Sequence, residues 1–300
     1  MNHLLDIKSL NTNQIVEILE KAQQLIDDKG KLKTNLDLKQ KTVANLFFEP
    51  STRTRNTFEI AAQKLGARVI NVDIKNSATN KGETLLDTMN NLKAMQVDAF
   101  VVRHKENNTP HLIAKKVEGV SVLNAGDGTN EHPTQALLDM LTIYQCKKSF
   151  KDLTVAIVGD ILHSRVAHSD VQALQKLGVK DIRIIAPKNL QTKFNGVNTF
   201  EDIDKGLNKA DVVIMLRLQK ERMIEANIPD EKTYFKDFGL NQERLFLAKK
   251  DAIIMHPGPI NRGVEISSDV ADGKQSVILQ QVTNGIAVRM AVLSMLLKDK

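Results

Sequence analysis

The feature that most constrains this chain is the repeated alternation of short β-type runs with helical stretches along its 300 residues. Each run is rich in Val, Ile, Leu, Ala and Phe, and apolar residues recur at helical spacing in the stretches between them. This alternation is typical of parallel sheets covered by helices, so we predict an α/β fold. The predicted strands are 42–48, 67–72, 98–102, 120–123, 153–158, 181–185, 212–216 and 252–255.

The helical pattern 133–146 marks the predicted boundary between two domains. It is followed by a polar stretch, and a chain of this length holds about two domains of roughly 100–200 residues each. We predict a first domain over 1–146 and a second over 147–285, each a parallel sheet flanked by helices, with the active site in the cleft between them. The last helix, within 286–300, is expected to pack back on the first domain. The other predicted helices are 9–26, 56–65, 84–95, 112–116, 166–177 and 201–207.

The composition excludes several classes of function. The net charge is +6, but the basic residues are spread along the chain, so we expect small anionic ligands and no nucleic acid. Cys146 is the only cysteine, which excludes an intrachain disulfide and a thiolate metal site. No apolar run of about 18 residues predicts a membrane span, and residues 1–6 do not resemble a signal peptide, so a cytoplasmic protein is expected. Gly159 alone stands where a dinucleotide site needs G-x-G-x-x-G, and no H-E-x-x-H motif occurs, so we expect neither cofactor nor metal.

The segment that follows the first predicted strand is rich in hydroxyl and guanidinium groups. It opens a predicted helix, and a helix N-terminus presents unpaired N–H groups and partial positive charge that favour an anion. We interpret it as a phosphate site; a simple hydroxyl helix cap with solvated arginines is the alternative. Its polar residues are Ser51, Thr52, Arg53, Thr54 and Arg55.

Polar residues also follow the other strands of the first half. Ser77 and Lys81 lie in a polar loop that either closes over an anion or is plain exposed surface. Arg103 follows the third predicted strand. His132 precedes Pro133 at a predicted helix N-terminus, where the dipole favours a neutral imidazole able to donate to a carbonyl oxygen; a simple cap is the alternative.

The second half places further cationic and polar groups after its strands. Arg165 lies near the start of a predicted helix, and Arg217 and Gln219 follow a predicted strand. The stiff turn 256–259 has carbonyl groups that can accept a hydrogen bond from a substrate N–H. Because no carboxylate pair or Cys–His pair accompanies them, we expect chemistry by positioning and charge stabilisation on phosphoryl and carboxylate ligands.

Two motifs resemble the signatures of the aspartate/ornithine carbamoyltransferase family. They are P-S-T-R-T-R at 50–55 and H-P-T-Q at 132–135. The segment R-L-Q-K-E-R at 217–222 and the turn H-P-G-P at 256–259 resemble the members that use aspartate. The H-C-L-P turn and S-M-G segment of the ornithine enzymes are absent from this chain. The resemblance spans nearly the whole chain and implies cofactor-free transfer of a carbamoyl group from carbamoyl phosphate to L-aspartate, an early step of pyrimidine (UMP) biosynthesis.

The resemblance also implies a role for each matched residue. The catalytic groups that stabilise the reacting carbonyl and phosphate are Arg53, Thr54, Arg103 and His132. The carbamoyl-phosphate site as a whole comprises Ser51, Thr52, Arg53, Thr54, Arg103, His132, Gln135, Gly258 and Pro259. The aspartate site comprises Lys81, Arg165, Arg217 and Gln219.

An assembly follows from the same resemblance. The family is trimeric, and a neighbouring subunit lends a serine and a lysine that match Ser77 and Lys81, so we expect a homotrimer with shared active sites. The segment 261–266 resembles bacterial members that work without a regulatory subunit, which leaves such a subunit as the secondary expectation. His163 stands where some members have Tyr, which puts in doubt one contact near Arg165. Two alternatives stay open: a carbamoyltransferase with another acceptor, such as ornithine, and a non-enzymatic protein that binds phosphorylated metabolites.

Overall fold

The computed structural model describes residues 1–73, 82–223 and 230–298. The chain separates into two compact units, the first formed by Met1–Leu141 with Val282–Lys300 and the second by Thr142–Gln281. Each unit is built around one parallel β-sheet with flanking helices, which confirms the predicted fold class. Among the described residues, no helix has the length and apolar character needed to cross a lipid bilayer.

The first part of the chain begins with a helix whose start is set by a capping box. The side chains of Asn11 and Gln14 each accept a hydrogen bond of 2.9 Å from the other's backbone N–H. Strands and helices then alternate. In order, the elements are α1 (Thr12–Gln24), β1 (Thr42–Phe47), α2 (Thr52–Lys64), β2 (Arg68–Val72), α3 (Leu85–Ala94), β3 (Ala99–His104), α4 (Thr109–Lys116), β4 (Ser121–Asp127) and α5 (Pro133–Lys147).

The first sheet has the strand order β2-β1-β3-β4, with all strands parallel. Its inner strands are buried on both faces, as parallel strands covered by helices require, whereas β2 lies at an edge and is largely exposed. Each fully buried apolar side chain stabilises the unit by about 1.5–3 kcal/mol. One core cluster joins the sheet to α3 and α4 through Ala44, Leu46, Met89, Leu92, Phe100, Val102, Ile113, Val117 and Val122.

The second part of the chain repeats the alternation with shorter elements. Two 3₁₀ turns, Lys188–Leu190 and Lys220–Arg222, occur among them. The elements are β5 (Thr154–Val158), α6 (Arg165–Lys176), β6 (Asp181–Ile185), β7 (Asn198–Phe200), α7 (Ile203–Leu207), β8 (Val212–Met215), α8 (Glu231–Phe238), α9 (Gln242–Leu245), β9 (Ile253–Met255), α10 (Ser268–Ala271) and α11 (Ile278–Leu297).

The second sheet has the strand order β7-β6-β5-β8-β9 and is again parallel throughout. The end of β5 comes very close to the end of β8, where the Leu216 N–H donates to the Val158 carbonyl oxygen at 2.8 Å. Gly159 has φ +133°, and a Cβ there would lie 2.3 Å from the Leu216 oxygen. Any side chain at this position would push the two strand ends apart, so the glycine serves backbone packing.

Four strands and helices of the second unit, within the described residues, were not predicted from the sequence: β7, α8 and the four-residue helices α9 and α10. The strand β7 is a three-residue edge strand whose Asn and Thr are exposed, so it carries no apolar pattern. The helix α8 had a readable signal: Asp230 caps it by accepting from the Thr233 N–H, and Tyr234 and Phe238 are buried four positions apart.

The last helix begins earlier than predicted. The sequence suggested a start after Gly285, whereas α11 begins at Ile278. Gly285 lies inside the helix, where a Cβ would be 2.6 Å from Nη1 of Arg289 and 3.1 Å from Cδ2 of Leu138. Close packing, not helix termination, therefore requires glycine at this position.

Candidate active site

Both sheets contain a point at which the strand order reverses. In the first sheet the chain passes from β1 to β2 on one side and then places β3 on the other side of β1. In the second it passes from β5 through β6 to β7, and then places β8 on the other side of β5. Loops that leave two neighbouring strands in opposite directions open a crevice at the carboxyl ends, where open α/β sheets bind ligands. The predicted site residues that the structure describes follow these two strand pairs and the strands β4 and β9 beside them.

The segment between β1 and α2 presents donors without a hydroxyl cap. Ser51 is the N-cap residue of α2, but its side chain makes no capping hydrogen bond. Thr54 is buried. Arg53 is exposed overall, but its guanidinium is partly desolvated by the surrounding protein, which lowers its pKa. The N–H groups of a first helical turn lack acceptors within the helix, so this segment can bind a phosphate group.

Arg103, at the end of β3, is held between two loops of the first unit. Its carbonyl oxygen accepts from the Phe48 N–H at 2.9 Å, which aligns the ends of β1 and β3. Its Nη1 donates to the Ala125 carbonyl oxygen at 3.1 Å, and its Nε lies 2.7 Å from Oε1 of Glu49. These contacts fix the plane of the guanidinium at the reversal point of the sheet.

The start of α5 brings His132 and Gln135 to the same edge of the first sheet. The His132 carbonyl oxygen accepts from the Gln135 N–H at 2.9 Å, and both side chains are buried. Nε2 of Gln135 donates to both carboxylate oxygens of Asp139, each at 3.1 Å. Because β4 is the neighbour of β3, the structure gathers these residues, Arg103 and the segment after β1 at the carboxyl ends of adjacent strands.

In the second unit, a buried carboxylate joins the loops that follow β5 and β8. Asp160 is fully buried, and its Oδ2 accepts from the Gln219 N–H at 3.1 Å. Its Oδ1 accepts from the His163 N–H at 3.2 Å and lies 2.9 Å from Nδ1 of the same residue. The His163 carbonyl oxygen accepts from Arg222 at 2.8 Å. His163, which stands where some family members have Tyr, is therefore held in place by hydrogen bonds with Asp160 and Arg222.

The two arginines predicted to bind carboxylates lie on these same loops. Arg165 is the first residue of α6 and is 3% exposed. Arg217 pairs with Glu221 through two contacts, one of 3.0 Å between Nη1 and Oε2 and a second between Nη2 and Oε1. The hydrogen bond with Glu221 raises the pKa of Arg217, and the same contact lowers the pKa of Glu221. Arg217 is therefore held by Glu221 after β8, and Arg165 is buried at the start of α6, after β5.

The turn after β9 is fixed by a buried histidine–carboxylate pair. The Gly258 N–H donates to Nδ1 of His256 at 2.8 Å, so the imidazole proton is on Nε2, which donates to Oε1 of Glu265 at 3.0 Å. Both side chains are fully buried. The Asn261 N–H donates to the same oxygen at 2.6 Å. The carbonyl groups around Gly258 and Pro259 are thereby held in one orientation.

The acidic residues that hold these side chains in place were not identified from the sequence. Each of them lies within a motif named above or a few positions from one, but only the folded chain shows the partner. Two predicted residues, Ser77 and Lys81, lie outside the described residues. Within the described ranges, no group of three or more His, Cys, Asp or Glu side chains is arranged to hold a metal ion. The acidic residues are Glu49, Asp139, Asp160, Glu221 and Glu265.

Comparisons with known proteins match both parts of the chain to one family. Residues 2–145 match the family described as "Aspartate/ornithine carbamoyltransferase, carbamoyl-P binding domain", and residues 151–296 match "Aspartate/ornithine carbamoyltransferase, Asp/Orn binding domain". The aspartate carbamoyltransferase catalytic subunit of Vesicomyosocius okutanii is 64% identical over 98% of this chain and 93% of its own length.

Solved structures of the same family share the fold. Aspartate transcarbamoylase from Trypanosoma cruzi, in complex with carbamoyl aspartate and phosphate, has a TM-score of 0.87 and 31% identity, over 97% of this chain and 94% of that chain. Ornithine carbamoyltransferase from Thermus thermophilus has a TM-score of 0.87 and 27% identity, over 99% of both chains. Both halves of the chain match domains of one family, and a member of that family is 64% identical over 98% of this chain. The chain therefore belongs to the aspartate/ornithine carbamoyltransferase family.

Proposed function

We propose that this chain is an aspartate carbamoyltransferase, which transfers the carbamoyl group of carbamoyl phosphate to the amino group of L-aspartate. The products are N-carbamoyl-L-aspartate and phosphate, and the step belongs to de novo pyrimidine biosynthesis. The observation that carries this proposal is the 64% identity, over 98% of the chain, to an aspartate carbamoyltransferase catalytic subunit. The Trypanosoma cruzi enzyme with the same fold was solved with carbamoyl aspartate and phosphate, the two products of this reaction.

In this proposal, residues 1–146 bind carbamoyl phosphate. The phosphate interacts with the hydroxyl and guanidinium groups that open α2, supported by the partial positive charge of the helix N-terminus. The carbonyl oxygen accepts hydrogen bonds from Thr54, Arg103 and His132, and the NH₂ group is held by Gln135 and by the turn at Gly258. The phosphate ligands are Ser51, Thr52, Arg53 and Thr54.

Residues 147–285 bind L-aspartate in the same proposal. Arg165 and Arg217 bind the two carboxylates, because a planar guanidinium can donate two parallel hydrogen bonds to a carboxylate. Gln219, whose backbone is fixed by Asp160, assists them. The attack requires the aspartate amine within reach of the carbamoyl carbon.

The reaction proceeds by direct attack of the neutral amine on the carbamoyl carbon. The new C–N bond produces a tetrahedral oxyanion, and the C–O bond to phosphate then breaks. Arg103, Thr54 and His132 stabilise the oxyanion, and preorganised donors of this kind are worth about 2.7–4 kcal/mol each. The departing phosphate accepts the amine proton, and no covalent enzyme intermediate is formed.

The assembly is part of the proposal. We propose a homotrimer in which Ser77 and Lys81 of a neighbouring subunit complete each site, with a regulatory subunit as the secondary alternative. A cytoplasmic location also remains a prediction from the sequence. Mixing an inactive Lys81→Ala protein with an inactive Arg53→Ala protein should restore part of the activity, since a hybrid assembly contains an intact composite site.

A direct acceptor assay tests the proposed function. The purified chain is incubated with carbamoyl phosphate and either L-aspartate or L-ornithine, and both phosphate release and the carbamoylated product are measured. We expect carbamoyl aspartate and no citrulline. Carbamoylation of ornithine alone would reject the acceptor, and binding of carbamoyl phosphate without aspartate-dependent phosphate release would indicate a non-enzymatic binding protein.

A further inference from the structure

The amide of Gln135 is oriented by a single carboxylate. Its Nε2 donates to Oδ1 and Oδ2 of Asp139, both at 3.1 Å, and the two residues lie one turn apart on α5. An ionised carboxylate only accepts hydrogen bonds, so it selects the NH₂ end of the amide. The Oε1 oxygen is then the end of the amide that remains to accept a hydrogen bond from a ligand.

We propose that Asp139 is a positioning residue that turns the Gln135 carbonyl oxygen toward the NH₂ group of carbamoyl phosphate. This inference rests on the proposed function and extends it to a residue that does not touch the substrate. If the amide were reversed, its NH₂ group would face the NH₂ group of the substrate, and two donors cannot bond to each other. The ionised carboxylate of Asp139 therefore acts as a selector for carbamoyl over other acyl phosphates.

A buried arginine supports the charge on Asp139. Arg289 on α11 is 3% exposed; its Nη1 donates to the Gly285 carbonyl oxygen at 2.9 Å, and its guanidinium carbon lies 4.9 Å from the ring centroid of Phe58. Burial and repulsion from Arg103 lower the pKa of Arg289 to about 9, whereas attraction to Asp139 raises it. Asp139 is fully buried, and its attraction for Arg289 places the two side chains in one electrostatic environment.

These residues form one chain of interactions within the first unit. Asp139 interacts with the amide that faces the carbamoyl NH₂ and with the cation beside Arg103, which faces the carbonyl oxygen. In the proposal, the effect of Asp139 on ligand binding comes from the orientation of the Gln135 amide, to which it is hydrogen-bonded. A purely structural role for Asp139 makes a different prediction, because it would disturb the binding of every acyl phosphate alike.

Two ligands that differ only in the group facing Gln135 separate these roles. Carbamoyl phosphate carries NH₂ where acetyl phosphate carries a methyl group that cannot donate. For Asp139→Asn we expect the dissociation constant of carbamoyl phosphate, measured by calorimetry, to rise roughly fivefold, close to the loss of one net hydrogen bond. The dissociation constant of acetyl phosphate should stay within twofold. An equal rise for both ligands, or no rise for carbamoyl phosphate, would overturn the proposal.

Two further variants complete the experiment. If Asp139→Asn fails to fold because Arg289 is left uncompensated, the double variant with Arg289→Met removes the unpaired buried charge and takes the same test. Gln135→Met should lower the preference for carbamoyl phosphate over acetyl phosphate although Asp139 is unchanged. Adding Asp139→Asn to this variant should lower that preference no further, since both substitutions act on one hydrogen bond. Additive losses would contradict the proposal. Carbamoyl transfer to aspartate is also measured on the wild-type chain. No transfer by the wild-type chain would reject the proposed function, whereas the variants test only the role of Asp139.

Discussion

The two units use the same topology but orient their polar groups differently. Both have a parallel sheet whose strand order reverses once, and both place their candidate ligands after the two strands at that point and after the strand beside them. In the first unit, His132 and Gln135 are buried at the start of a fifteen-residue helix, and Gln135 is bonded to a fully buried carboxylate. In the second, Arg217 lies on an irregular segment and pairs with Glu221, whose side chain is 54% exposed.

This difference suggests different contributions of the two units to the chemical step and to the binding of aspartate. A buried, hydrogen-bonded group is already in place before the ligand arrives and contributes fully to stabilising developing charge. A partly exposed ion pair is screened by solvent and holds its residue only loosely. We therefore expect the first unit to control the chemical step and the second to control the affinity for aspartate.

The largest effect is expected for Arg103→Ala in the first unit. If Arg103 donates to the oxyanion as proposed, its removal should lower kcat roughly 10²–10³-fold. The measurement is the rate of carbamoyl aspartate formation at saturating substrates. Arg68→Ala is the matched control, because Arg68 is an exposed arginine on the edge strand β2 and should leave kcat unchanged. A decrease below tenfold for Arg103→Ala would break the comparison, since the first unit would then not control the chemical step.

A smaller effect of a different kind is expected for Arg165→Ala in the second unit. If Arg165 binds a carboxylate of aspartate as proposed, its loss should raise the KM for aspartate about 100-fold, since hydrogen bonds to charged groups are worth about 1.5–3 kcal/mol each. The KM for carbamoyl phosphate should change much less. Lys180→Ala, which removes an exposed cation in the same unit, serves as the control. The assignment of aspartate to this unit fails if the KM for carbamoyl phosphate rises instead.

Glu265→Gln should have an intermediate effect, because it weakens the buried pair that holds the turn after β9. We expect unfolding in urea to show a loss of about 1–3 kcal/mol, since His256 keeps a weaker acceptor. The KM for carbamoyl phosphate should rise roughly fivefold, about 1 kcal/mol. Asp272→Asn is the control, because its ion pair with Arg262 is exposed and surface pairs contribute about 0–1 kcal/mol. Equal losses for the two variants would show that burial of the His256–Glu265 pair is unimportant.

The smallest effect is expected for Glu221→Gln, which releases Arg217 from its partly exposed partner. The KM for aspartate should rise about threefold, within the range of a surface ion pair. The pKa of Glu221 is lowered by Arg217, so the pair stabilises the fold above the ordinary glutamate pKa of 4.5. That contribution is lost as the pH falls through the lowered pKa. Acid should therefore destabilise the wild-type chain slightly more than the variant, and identical pH dependences of urea unfolding would argue against the pair.

Local patterns in the sequence were sufficient for the architecture and for the ligand motifs. The apolar runs that form β1, β3, β5 and β8 are long and continuous enough to identify buried strands, and helical spacing identified most of the helices between them. The rule that ligands bind after strand ends then pointed to Arg103, His132, Arg165 and Arg217 without any knowledge of the strand order. The architecture could be inferred in this way because hydrophobic periodicity and helix start signals are properties of neighbouring residues, whereas the roles of these four residues stay predictions.

Only the tertiary structure decided which side chains orient the candidate substrate-binding residues. Asp139, Arg289 and Glu265 acquire their roles from partners that the fold places beside them, and nothing in the residues next to Arg289 indicates Asp139 or Phe58. The same reason explains Gly285, which looks like a helix breaker locally but is required by the close approach of Leu138. Burial, the strand order at the reversal points and the pairing of buried charges depend on contacts between residues that are distant along the chain, so no local pattern contains them.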